Sequence, residues 1–272
     1  MRIDVNGIGI EADVDGDGPA VLFVHGWPDS RLLWRHVAPR LADAGFRTVV
    51  PDLRGAGDSD RPEAVDDYAI PHVVGDLIGV LDHLGVERAH VVGHDWGAAL
   101  TWTMAAFAPE RVDHLVPVSV GHPSAFAAAG FEQREKSWYM LLFQFEGVAE
   151  TWLSADGFRN LREWSSHPDI DEVTTRLEDR GALTAGLNLY RANLPPESLV
   201  SGTIPVPPVE APTMGVWSSG DMALTEAQMT ASAEFVKGTW RYERLDGIGH
   251  WIPLDAPERL TELLLDFLPA PG

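Results

Sequence analysis

"VVGHDWGAAL", residues 91–100, places a charged side chain, Asp95, at the junction of two apolar runs. Val91 and Val92 end a strand-like run, and Ala98, Ala99 and Leu100 begin a helix-like one, so the turn between them is very tight. Gly93-His94-Asp95-Trp96-Gly97 has the small-x-nucleophile-x-small form of a strained strand-to-helix elbow, with aspartate where the commoner GxSxG motif carries serine. Glycines suit a turn that presses backbone against backbone. Aspartate at this point also fits a plain helix N-cap. The rest of the chain decides between nucleophile and cap.

Working outward, strands alternate with helices. "PAVLFVHG" supplies a buried strand at Val21 to Val24, "FRTVVPDLRGAGDS" a strand ending in a loop, and "YAIPHVVGDLIGVLDHLG" a helix. "VDHLVPVSVGHP" and "APTMGVWSSGD" add further strands. This alternation predicts an α/β fold with a mostly parallel central sheet flanked by helices. Ile3 to Ile10 and "PAVLFVHG", separated by "DVDGDG", predict a hairpin leading into the buried strand. Asp13, Asp15, Asp17 and Gly18 resemble the opening of a calcium-binding loop, but Val24 stands where the bidentate glutamate belongs, so a hairpin turn is the better reading.

Between residues 122 and 208 the texture changes to aromatic-rich helical segments such as "REKSWYMLLFQFEGVAETWL", with no strand signal. The segment ends in "LPPESLVSGTIPVPPVEAP", whose prolines resist regular structure. The expected organisation is a core of residues 1–121 and 209–272, with a helical cap, 122–208, inserted between core strands.

A chain of 272 residues is long enough for one full domain with such an insertion. The formal net charge of -21 repels nucleic acid and anionic membrane, and the acids are dispersed rather than gathered in a tail. No cysteine is present, which excludes disulfides, thiolate metal sites and a cysteine nucleophile. "MRIDVNGIGIEADVDGDG" lacks an apolar stretch of signal length, so the expected location is cytoplasmic. No metal or organic-cofactor signature stands out, leaving water as the expected co-substrate. A monomer and a homodimer fit the sequence equally.

At the far end, "MGVWSSGDMALT" puts Asp221 just beyond a strand, and "RLDGIGHWIPLDAPERL" puts His250 in a glycine-containing loop before the final helix. Nucleophile, acid, histidine is the chain order of the α/β-hydrolase triad. "FVHGWPDS" follows the first buried strand, and in this fold that loop brings a backbone N–H beside the one after the nucleophile. Trp27 and Trp96 are therefore the candidate oxyanion-hole donors. His25, Pro28 and the "PDLRGAGDS" loop are expected to shape the backbone rather than to react.

HGWP, DLRGAGDS, GHDWG, the strand-end aspartate and GHW together resemble the epoxide hydrolases of the α/β-hydrolase fold, with haloalkane and haloacetate dehalogenases as near relatives. The resemblance spans nearly the whole chain and implies an aspartate nucleophile. It also implies two cap tyrosines that hold the epoxide oxygen. "SWYMLLFQFEGVAE" matches the family segment for the first at Tyr139, and "GLNLYRANL" that for the second at Tyr190. Packing in a helical cap is the alternative role for both.

The expected substrate is a small apolar epoxide, bound with water between cap and sheet. Trp138, Trp152, Trp164, Phe126, Phe131, Phe143, Phe145 and Phe158 make the cap aromatic, most of them as its own core. The main rival is a haloalkane dehalogenase, with the Trp96 indole on the departing halide, although many of those enzymes carry asparagine where Trp27 stands. Haloacetate dehalogenases set arginines around the nucleophile, where this chain has Trp96 and Ala99. A ligand-binding protein on the same fold is a further alternative. A serine esterase is weaker, since Asp95 occupies the nucleophile position.

Overall fold

The run AVLFV forms strand β3 (Ala20–Val24), buried along its whole length in the computed structural model, which describes residues 1–201 and 204–271. Leu22 and Val24 enter one hydrophobic core, Val21 and Phe23 a second. A strand covered on both faces needs apolar side chains on both, which is why the run is continuous rather than alternating. β5 (Ala89–His94) and β7 (Thr213–Ser218) are buried throughout in the same way.

With β1 (Arg2–Val5), β2 (Ile8–Asp15), β4 (Arg47–Pro51), β6 (Val112–Val118) and β8 (Trp240–Leu245), these strands form one sheet in the order β1-β2-β4-β3-β5-β6-β7-β8. All pairings from β4 to β8 are parallel, and those of β1 with β2 and of β2 with β4 are antiparallel. Helices α1 (Ala38–Asp43), α2 (Ile70–His83) and α3 (Trp96–Phe107) lie between successive strands. This is the α/β-hydrolase fold expected from the motifs.

Between β6 and β7 the named elements are all helices: α4 (Pro123–Ala128), α5 (Gly130–Lys136), α6 (Trp138–Phe143), α7 (Val148–Ser165), α8 (Ile170–Leu177), α9 (Arg180–Asn193) and α10 (Pro196–Ser201). After β7 come α11 (Glu226–Ala231), then β8, and finally α12 (Ile252–Asp255) and α13 (Pro257–Phe267). No helix among the described residues is long and apolar enough to cross a membrane.

Three local readings need correction. The hairpin is not built around residues 13–18: its turn is Asn6-Gly7, whose φ angles of 51° and 82° suit a two-residue hairpin turn, and it joins β1 to β2. β2 then pairs with β4, not β3, because β3 is enclosed between the parallel strands β4 and β5. β8 has no counterpart in the sequence reading. Its half-buried, charge-bearing sequence WRYERL marks an edge strand, which charges protect from further pairing. The proline-rich stretch contains α10, which starts at Pro196, since proline is well suited to a first helical turn. Gly202 and Thr203 of that stretch lie outside the described residues.

Candidate active site

Val24 is paired with Gly93, so the loops leaving β3 and β5 emerge side by side at the carboxyl end of the sheet. Open α/β sheets hold their ligands at this edge. Asp95 occupies the elbow itself with φ 54° and ψ -122°, a sparsely populated backbone state for a residue with a side chain. Gly97 allows the elbow to seat, because a Cβ there would lie 2.0 Å from the Val24 carbonyl oxygen. Asp95 stands at the N-cap position of α3, yet its side chain makes no capping hydrogen bond. Its Oδ1 instead accepts from the Trp27 backbone N–H at 3.0 Å. Trp96 opens α3, where first-turn N–H groups have no acceptor within the helix.

The Trp27 loop is held from behind by His25. Leu53 N–H donates to His25 Nε2 at 3.0 Å, which leaves the Nδ1 hydrogen for the Gly26 carbonyl at 2.8 Å. Burial lowers the His25 pKa, so the ring serves as a neutral brace. The DLRGAGDS loop is fixed by a buried pair, with Arg54 Nε 2.6 Å from Asp76 Oδ2 and Arg54 Nη2 2.7 Å from Asp76 Oδ1. Both loops thus play the shaping parts read from the sequence.

Asp221 follows β7, and His250 lies in the loop between β8 and α12. His250 Nδ1 is 2.8 Å from Asp221 Oδ2, and His250 Nε2 is 3.7 Å from Asp95 Oδ2. Asp221 Oδ1 accepts from the N–H groups of Ala223 and Leu224 at 2.8 and 2.9 Å. Burial works to raise the Asp221 pKa, but the His250 charge and hydrogen bond, with those two N–H groups, bring it below the ordinary value. For His250 burial works to lower the pKa. The charge and hydrogen bond of Asp221, joined by those of Asp95, outweigh it and raise the value to about 10. The two carboxylates thus favour the protonated imidazolium over the neutral ring.

Tyr139 from α6 and Tyr190 from α9 face Asp95 across one cavity. Their ring centroids are 6.2 Å apart, and Tyr190 meets the Trp96 ring edge-on at 5.1 Å. Burial, reinforced by the Asp95 charge, pushes both phenols well above their usual pKa, while a hydrogen bond from Trp96 opposes the rise at Tyr190. Both are held as protonated donors. The cavity, about 80 Å³ in volume, extends as an apolar arm past Ala99, Phe126, Met140, Leu194 and Leu224. Phe126 and Trp164 line the site's cavities; Phe143 and Phe158 are buried, whereas Phe131 and Phe145 are exposed.

All seven candidate residues, Asp95, His250, Asp221, Tyr139, Tyr190, Trp27 and Trp96, converge on this region. Several supporting residues escaped the sequence reading. His94 Nε2 and Ser119 Oγ both reach the His250 carbonyl, at 2.9 and 3.2 Å, and Ser218 Oγ donates to the Gly249 carbonyl at 2.7 Å. Burial, then the His250 charge, lowers the His94 pKa to about 4, so His94 braces the histidine loop as a neutral donor. His94 lies inside the GHDWG motif and carried a visible signal; the two serines carried none.

The family described as alpha/beta hydrolase fold matches residues 19–168. Epoxide hydrolase A of Mycobacterium tuberculosis (strain ATCC 25618 / H37Rv) is 31% identical, over 98% of this chain and 96% of its own length. An epoxide hydrolase of Caballeronia sordidicola is 32% identical over 98% and 92%. Among solved structures, the Bacillus megaterium epoxide hydrolase in complex with an inhibitor superposes with a TM-score of 0.88 at 27% identity, over 98% of this chain and 99% of that one. Epoxide Hydrolase A from Mycobacterium thermoresistibile gives 0.84 at 28% identity, over 98% and 97%. The chain belongs to the α/β-hydrolase-fold family and, within it, to the epoxide hydrolases.

Proposed function

We propose that this protein hydrolyses an apolar epoxide to a vicinal diol through an alkyl ester on Asp95. The observation that carries the reading is the placement of one carboxylate, Asp95, opposite two protonated phenols, Tyr139 and Tyr190, with His250 3.7 Å to its side. An epoxide carbon is a strained electrophile, and its oxygen must gain a proton or a strong hydrogen bond as the ring opens. Phenols supply that without being strong acids. The helices that carry the tyrosines act as the cap, closing the apolar arm over the carboxyl edge of the sheet.

Asp95 attacks the epoxide carbon, a C–O bond to the carboxylate forms, and the ring C–O bond breaks. A tyrosine protonates the alkoxide, and the proton held by His250 at rest replaces the one given up. Esterification also removes a negative neighbour of His250, which lowers its pKa and prepares it as a base. Neutral His250, oriented by Asp221, then takes a proton from water as the water oxygen attacks the ester carbonyl. The Trp27 and Trp96 N–H groups stabilise the oxyanion. Collapse breaks the ester C–O bond, and the departing alkoxide takes the carboxylic proton, regenerating ionised Asp95 and protonated His250. A serine nucleophile would leave a stable ether instead.

A dehalogenase would set the Trp96 indole on the halide, whereas here two phenols face Asp95 and the Trp96 ring packs edge-on against Tyr190. The test is a panel of aryl and alkyl epoxides with matched haloalkanes, scored for diol and halide, with Asp95→Ala as the blank. Diol without halide supports the proposal; halide without diol makes the tyrosines packing residues. His250→Ala should accumulate the ester, seen as added substrate mass on the protein. Sustained turnover by either variant would sink the mechanism.

A further inference from the structure

We propose that Ser165, at the end of α7, holds the water that hydrolyses the Asp95 ester. The proposal rests on the ester mechanism above. Beside His250 is a second, smaller cavity, lined by Asp95, Tyr139, Tyr190, Trp251 and Ser165 among others. Its volume is about 10 Å³, room for a single water molecule. Ser165 is 1% exposed, and among the described residues its Oγ has no hydrogen-bond partner. Native structures rarely leave a buried hydroxyl unpaired, and a water-sized cavity bordered also by Asp95, two phenols and His250 is the natural source of its partner.

The serine is also fixed in place from the core. Trp251, next in sequence to His250, donates its indole N–H to the Ser165 carbonyl at 2.9 Å. Two residues on, His167 Nε2 lies 3.2 Å from both carboxylate oxygens of buried Asp29, and its ring packs 4.2 Å from that of Trp251. His167 Nδ1 accepts from the Asp169 N–H, so Nε2 carries the hydrogen that Asp29 receives. The Ser165 backbone is thereby tied to both loops that form the site.

In the hydrolytic step the water donates one hydrogen to neutral His250 Nε2 and the other to Ser165 Oγ, leaving a lone pair for the ester carbonyl carbon. The proton bonded towards His250 transfers and the new C–O bond forms, while the Ser165 hydrogen bond only orients. Ser165 thus acts in the second half-reaction and has no part in ring opening.

The experiment follows both half-reactions in Ser165→Ala with an aryl epoxide, by rapid quench and intact-protein mass, beside wild type and His250→Ala. Ester formation should be unchanged and ester hydrolysis about 3- to 10-fold slower, the worth of one neutral hydrogen bond, so that ester accumulates. Ser165→Thr, which keeps the hydroxyl, should hydrolyse its ester faster than Ser165→Ala. Hydrolysis at the wild-type rate in Ser165→Ala, equal slowing of both steps, or a threonine variant no faster than alanine would overturn the assignment. Absence of ester even in His250→Ala would overturn the underlying mechanism instead, a result distinguishable from failure at Ser165 alone.

Discussion

His250 Nε2 faces Asp95 Oδ2 at 3.7 Å while the other carboxylate oxygen, Oδ1, is held by the Trp27 N–H at 3.0 Å. The two oxygens of this carboxylate thus face different groups. One looks at the His250 imidazole, the other at the Trp27 backbone N–H.

The protonation of His250 depends on that contact. With Asp95→Asn its pKa should fall from about 10, because a raising charge is gone while burial and Asp221 remain. Imidazole NMR titration checks this; an unchanged midpoint would show that Asp95 is not the partner.

Stability should carry the same signature. The folded state binds the His250 proton more tightly than the unfolded chain, whose value is near 6.5, so this contribution is complete below that pH. It is lost as pH rises from about 6.5 through about 10. His250→Gln should flatten the alkaline decline in unfolding free energy, measured by urea denaturation across that window.

Tyr139→Phe and Tyr190→Phe each remove one phenol that the proposed mechanism sets on the epoxide oxygen. Ester formation should slow by about 10²-fold in each, with ester hydrolysis affected far less. Wild-type epoxide rates in both single variants would return the tyrosines to a packing role.

Gly26 borders Asp95 so closely that a Cβ would lie 2.3 Å from its Oδ1. Gly26→Ala must displace either Asp95 or the Trp27 loop. A fall in kcat of about 10²-fold or more is expected, since a shift of about 1 Å at reacting groups costs that much. Circular dichroism should show the fold retained.

Arg54→Ala leaves Asp76 buried without its bidentate partner, keeping, among the described residues, only the Asn6 Nδ2 donor at 3.1 Å. A loss of about 3–5 kcal/mol in unfolding free energy is expected, the range for breaking a buried ion pair from one side. Chemical denaturation measures it.

The sequence by itself determined the parallel core and the chain order of Asp95, Asp221 and His250. Buried strands such as Ala20–Val24 write their environment into a local apolar run, and elbow and loop motifs are contiguous. Tyr139 and Tyr190 were legible only by resemblance, because helical spacing alone does not tell a cavity tyrosine from a packed one. Tertiary structure alone decided that β2 would join β4, that WRYERL would form the edge, and that His94 and Ser119 would brace the His250 carbonyl. It also decided the place of Ser165, whose contact with Trp251 spans 86 positions. Strand periodicity is a property of neighbours in the chain, whereas the partners of a buried polar atom are set by segments that meet only when the whole chain has folded.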